Sequence, residues 1–133
     1  MPVIIVNRIF NSDIVNNPEC FYVYMENEKK EGGEVYRRSQ PNCLPVTIKK
    51  APSMSAEAYW NDDEYAISII KIQKEIDKVR EILDKGGTVI IEENFLSGEA
   101  NSPMSSQCPM IKENILNSFS LLFNQHRPKN VKS

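Results

Sequence analysis

Two hydrophobic patterns alternate along this chain. The first is the short unbroken apolar run, at residues 2–6 (PVIIV), 20–25 (CFYVYM), 44–49 (LPVTIK) and 88–91 (TVII). Runs this short, rich in β-branched and aromatic residues and bounded by polar ones, predict buried strands. Pro45 has no N–H to give, so the start of the third run belongs at an edge or at the beginning of a strand. The second pattern has helical spacing. Tyr65, Ile69, Ile72, Ile76, Val79 and Leu83 recur every three or four residues, with Lys71, Lys74, Glu75, Lys78 and Glu81 on the other side. They predict one amphipathic helix over residues 62–85. Asn61 followed by Glu64 makes a capping-box start, Asp62 and Asp63 put negative charge at its positive end, and Gly86-Gly87 ends it. Ile111, Ile115, Phe119 and Leu122 form a second stripe, with Pro109 in its first turn and Pro128 beyond its last. Ser12-Asp13 can cap a short helical turn that stops before Pro18. Residues 28–40 read as a loop, and the polar segment 94–107 supplies a second loop at 94–102; any ligand pocket is expected between 27–38 and 94–102.

Strand, long helix, glycine turn, strand is the grammar of a right-handed βαβ unit. The expected fold is α/β: a small single domain over residues 1–128, with a parallel βαβ core in two or three layers and a frayed tail at 129–133. At 133 residues, with 41% apolar and 26% charged side chains, the chain can bury one core and is not a disordered segment. Its 16 basic and 18 acidic residues give a net charge of −2, which offers no general attraction to nucleic acid or to anionic membranes. Cys20, Cys43 and Cys108 fit neither a disulfide framework nor a zinc pattern, so reduced thiols in a cytoplasmic protein are expected. No apolar run approaches the length of a membrane span, and no signal segment follows Met1.

Little of the sequence speaks of catalysis. His126 is the only histidine, and its place at a helix end suits a cap. Asp62-Asp63 is explained by the helix start, and adjacent Glu92 and Glu93 on a strand point to opposite faces. No phosphate loop, dinucleotide fingerprint, nucleophile elbow or zinc motif occurs, and no cofactor is implied. Two loops remain. One carries Asn27, Gly32, Gly33, Arg37 and Arg38, the other Ser97, Gly98 and Ser102. Glycine backbone donors, serine hydroxyls and arginine forks are what an anion-binding crevice uses, and ordinary turns use the same residues for steric reasons.

Several stretches taken in order carry a resemblance: residues 21–27 (FYVYMEN), Gly32-Gly33, 38–42 (RSQPN), 45–53 (PVTIKKAPS), 59–62 (YWND) and 86–91 (GGTVII). The order resembles a family of uncharacterised small domains of phages and bacteria that is distantly similar to macro (ADP-ribose-binding) domains. The resemblance covers about residues 9–123. It implies a macro-like pocket for an ADP-ribose-type nucleotide, bound or hydrolysed. In that pocket Asn27 would hold ribose or base, Gly32, Gly33, Ser97 and Gly98 would lend donors, and Arg38 and Lys49 would offset phosphate charge. Met25-Glu26 stands where the family's glycine and aspartate would be, and Glu92, Glu93 and Glu99 would repel a phosphate. The favoured expectation is therefore a non-enzymatic phage accessory protein that binds a host protein in the host cytoplasm, through Tyr36, Tyr59 and Trp60, with partial core packing the competing reading for these three and a strong one for Tyr59.

Overall fold

The computed structural model describes residues 3–32, 35–53, 55–95, 103–126 and 129–131, the last three by backbone alone. Strand β1 (Val3–Val6) is followed by α1 (Asn11–Asn16), β2 (Cys20–Asn27), α2 (Val35–Arg38) and β3 (Cys43–Lys49). Helix α3 (Tyr65–Asp84), β4 (Thr88–Glu92), α4 (Pro103–Gln107), α5 (Pro109–Gln125) and β5 (Lys129–Val131) complete the chain. The strands form one sheet in the order β3-β2-β4-β1-β5, and every pairing is parallel. The expected parallel βαβ core is present, with β2 inserted between the two strands that α3 connects.

The connections divide by direction. The chain moves from β1 through β2 to β3 toward one edge, then from β3 through β4 to β5 toward the other. Right-handed crossovers therefore put α1 and α2 on one face and α3, α4 and α5 on the opposite one. Strand alternation supplies both faces. Val23, Val46, Ile48, Val89 and Ile91 pack with Ile72, Ile76, Val79, Ile111 and Ile115 of the long helices. Tyr22, Tyr24, Cys43 and Ile90 pack with Ile9 and Ile14 on the thinner side.

Helix α3 starts as its sequence dictates. The Asn61 side chain accepts from the Asp63 N–H, and Glu64 accepts from the Asn61 N–H, around a 3-10 turn at Asp62–Glu64. Asp62 does something further. Its carboxylate accepts from the N–H groups of Met110 and Ile111, at 3.3 and 3.4 Å, and so serves the open end of α5. The starts of α3 and α5 are thereby tied together.

Three expectations need correction. The loop at 28–40 contains the four-residue helix α2, while α4 follows the loop expected at 94–102. The tail expected to fray places Lys129–Val131 beside β1 as an edge strand. Tyr59 and Trp60, expected at an interface, are 0% and 3% exposed. They cover the outer edge of β3. The Trp60 indole N–H donates to the Thr47 carbonyl at 2.9 Å, the Lys50 N–H donates to the Ala58 carbonyl, and Tyr59 bridges antiparallel to Lys49. A β3 edge left open would expose a row of backbone groups, and the aromatic pair is buried in closing it.

Candidate functional site

The chain leaves β2 toward β3 and leaves its neighbour β4 toward β5. The topological switch thus lies at the carboxyl ends of β2 and β4, where open α/β sheets bind ligands. Strand β2 ends there in Glu26 and Asn27, both buried, and Asn27 stands in register with Lys49 on β3. The turn beyond is held by the Asn27 side chain. Its amide donates to the Glu31 carbonyl at 2.9 Å and its oxygen accepts from the Glu31 N–H at 3.4 Å. Inside this turn Lys30 takes φ 54°, and Gly32 takes φ 58° with its missing Cβ facing Pro52. Glycine is favoured at that second position.

Glu26 is the centre of the arrangement. Arg38 grips it as a fork, Nε to Oε2 at 2.7 Å and Nη2 to Oε1 at 2.8 Å. The Tyr24 hydroxyl donates to Oε2 at 3.1 Å and the Asn27 N–H to Oε1 at 2.9 Å. Arg38 Nη2 also reaches the Gly32 carbonyl at 3.1 Å. Burial pushes the Glu26 carboxyl up, but the Arg38 hydrogen bond, the Asn27 N–H and the Tyr24 hydroxyl outweigh it and hold it below its ordinary value. A carboxylate held ionised, with its lone pairs taken, neither delivers a proton nor readily accepts one. Burial and the same carboxylate push the Tyr24 phenol upward, which keeps it a neutral donor.

The structure brings Asn27, Gly32, Arg38 and Lys49 to this one end of the sheet. The Lys49 ammonium lies 4.9 Å from the Tyr59 ring centroid, and burial lowers its pKa. Tyr36 is half-buried against the thin-side cluster. Arg37 crosses to the Ile9 carbonyl at 2.9 Å. Gly33, Ser97, Gly98 and Ser102 lie outside the described residues, and so does most of the second loop. Glu92 accepts from the Ile9 N–H at 2.9 Å, and His126 contacts Asp84 at 3.1 Å. Among the described residues no three His, Cys, Asp or Glu side chains converge to hold a metal ion. No described helix is long and apolar enough to cross a membrane.

Sequence reasoning missed Glu26, although the signal was there. A carboxylate closes an apolar run, two residues after a tyrosine on the same strand face, and an arginine pair follows at 37 and 38. A charge at the end of a buried strand requires a partner.

A second concavity lies on the thin face. It is a cleft of ≈ 350 Å³ floored by Ile4, Val6, Ile90 and Tyr22, with Cys20 on its wall. The Tyr22 hydroxyl donates to the Asp13 carbonyl at 3.0 Å, and burial pushes its pKa up to about 12. Burial and neighbouring Glu19 raise the Cys20 thiol as well, so it is not poised as a nucleophile.

A family model described as a family of unknown function (DUF7831) matches residues 4–118. No curated protein and no solved structure matches the chain.

Proposed function

The chain belongs to that family of unknown function, and we propose that it works by binding another protein, not by binding or hydrolysing an ADP-ribose-type nucleotide. The observation that supports this is the closure of Arg38 onto Glu26. A phosphate at the carboxyl end of β2 would have to displace a bidentate carboxylate and would then face that carboxylate's charge. The phage setting and the distant macro-domain kinship implied by the sequence resemblance would make the partner a host protein, with the protein modulating a defence or a host enzyme.

Calorimetric titration with ADP-ribose tests the reading. The native protein and Arg38→Ala should both give no binding heat, and Arg38→Ala should melt at a lower temperature. Micromolar binding by the native protein, abolished in an Arg38→Ala variant of unchanged stability, would overturn it.

A further inference from the structure

Helix α3 has an outer face that its packing does not explain. Ile72, Ile76, Val79 and Leu83 fill the core side. Ile67, at 72%, is the most exposed large apolar side chain among the described residues, and Ile70 is 61% exposed. Ile70 and Lys71 stand three and four residues after Ile67, Lys74 stands four and three after them, and Lys78 follows four further on, so these five share one ridge. Beside the ridge, Leu44 and Pro45 of β3 line a groove of ≈ 220 Å³ whose rim carries Lys74 and Lys78. Glu75 also stands at that rim, but its carboxylate is turned onto Thr47. Asp77 and Glu81, three residues after Lys74 and Lys78, continue the same ridge toward the C-terminal end of the helix, where Arg80 and Lys85 pair with them.

We propose that this ridge and groove dock an acidic peptide segment of another protein, its apolar side chains against Ile67, Ile70 and the Leu44–Pro45 groove and its carboxylates against Lys71, Lys74 and Lys78. The proposal rests on the binding-protein reading above and gives its partner a chemistry. Charge complementarity selects the occupant. A segment running from Ile67 into the β3 groove meets three lysines and one carboxylate, Glu75, that is already bonded to Thr47, whereas a flat anionic bilayer would also lie over Asp77 and Glu81. A nucleic-acid backbone would use the lysines and leave both isoleucines in water, against a net charge of −2 on the protein.

The test is a titration of the 15N-labelled full chain at low salt with a synthetic peptide that alternates Glu and Leu. Shift changes should cluster at residues 44–45 and 67–78. Lys74→Glu/Lys78→Glu and Ile67→Ser/Ile70→Ser should each weaken the complex about tenfold or more, which is about 1.4 kcal/mol, while keeping the native melting temperature. Three results would overturn the proposal: no shifts in those segments, equal shifts with polyglutamate, or binding of phosphatidylserine vesicles through the same residues. A parallel titration with ADP-ribose separates the two readings. Shifts around residues 26–32 would sink the binding-protein reading, and the peptide result on α3 would still be read on its own.

Discussion

Glu75 and Thr47 meet twice across the outer side of β3: the Thr47 N–H donates to Oε1 at 2.8 Å and its hydroxyl to Oε2 at 2.7 Å. Strand β3 ends the sheet, so that N–H has no neighbouring strand, and α3 supplies the acceptor. Burial raises the Glu75 carboxyl above its ordinary value against the pull of Thr47, Lys71 and Lys30. The helix thus both covers the sheet and finishes its edge.

Replacing Glu75 by Ala should cost about 1–3 kcal/mol, because a half-buried N–H loses its acceptor. It should also raise self-association, since an opened edge templates pairing. Urea unfolding and sedimentation velocity read the two effects. A variant as stable as the native protein and no more associated would mean that Trp60 and its neighbours close the edge unaided.

Removing Arg38 strands a charge that is 2% exposed, so Arg38→Ala should cost about 3–5 kcal/mol. Glu26→Gln/Arg38→Ala together should cost clearly less than the sum of the single changes. The pH dependence has a definite sign. The folded-state pKa of Glu26 is lowered, so its contribution is present above the unfolded-state value and is lost as pH falls through the folded-state value. The stability gap between native protein and Glu26→Gln should therefore shrink in acid, below the ordinary carboxylate range. A gap that widens there would contradict the ion pair.

On α3, Ile76 is 0% exposed and Lys74 lies on the solvent side. Ile76→Ala should cost about 2–5 kcal/mol. Lys74→Ala should change stability by less than about 0.5 kcal/mol. Equal urea midpoints for the two variants would reverse the assignment of faces.

The glycine pair after α3 should resist substitution for two different reasons. Gly86 takes φ 85° with open space around it, so Gly86→Ala should cost about 1–2 kcal/mol of backbone strain. Gly87 has no such φ, but a Cβ there would come within 2.6 Å of the Ile82 side chain and 2.9 Å of its carbonyl. Gly87→Ala should cost about 1–3 kcal/mol by overpacking. Gly86→Asn should recover part of the first loss, because Asn tolerates that conformation, while Gly87→Asn should recover none of the second.

What was legible in the sequence was periodic or directional. The α3 stripe repeats six times, its capping box is written at Asn61 and Glu64, and the crossover rule turns strand–helix–strand into a parallel sheet. A four-residue helix such as α2 has no period to read, and β5 is three residues long. Tyr59 and Trp60 show a deeper gap. An aromatic pair before a helix looks the same in sequence whether it faces a partner or closes a sheet edge, and only the position of β3 at the border decides. The expected residues Asn27, Gly32, Arg38 and Lys49 lie at one end of the sheet, but a pattern of donors does not reveal that Glu26 already holds the strongest of them.

The two sides of the sheet are covered very unequally, and this sets an order in which the native state comes apart. One side carries helices of 20 and 17 residues, the other helices of 6 and 4. Helices that short do not sustain themselves, so the thin side stays folded through a small apolar cluster around Ile9 and Ile14 and through point attachments: Tyr22 to Asp13, Asn42 to the Ile14 carbonyl, Arg37 to Ile9 and Arg38 to Glu26. A layer held by so small an apolar cluster and a few polar contacts should lift before the larger apolar slab beneath it dissolves. The molecule is in effect a durable plate with a detachable veneer. Helix α2, which brings Arg38 over the carboxyl end of β2, belongs to the veneer and the lysine ridge of α3 to the plate, so amide exchange should find α2 opening before α3.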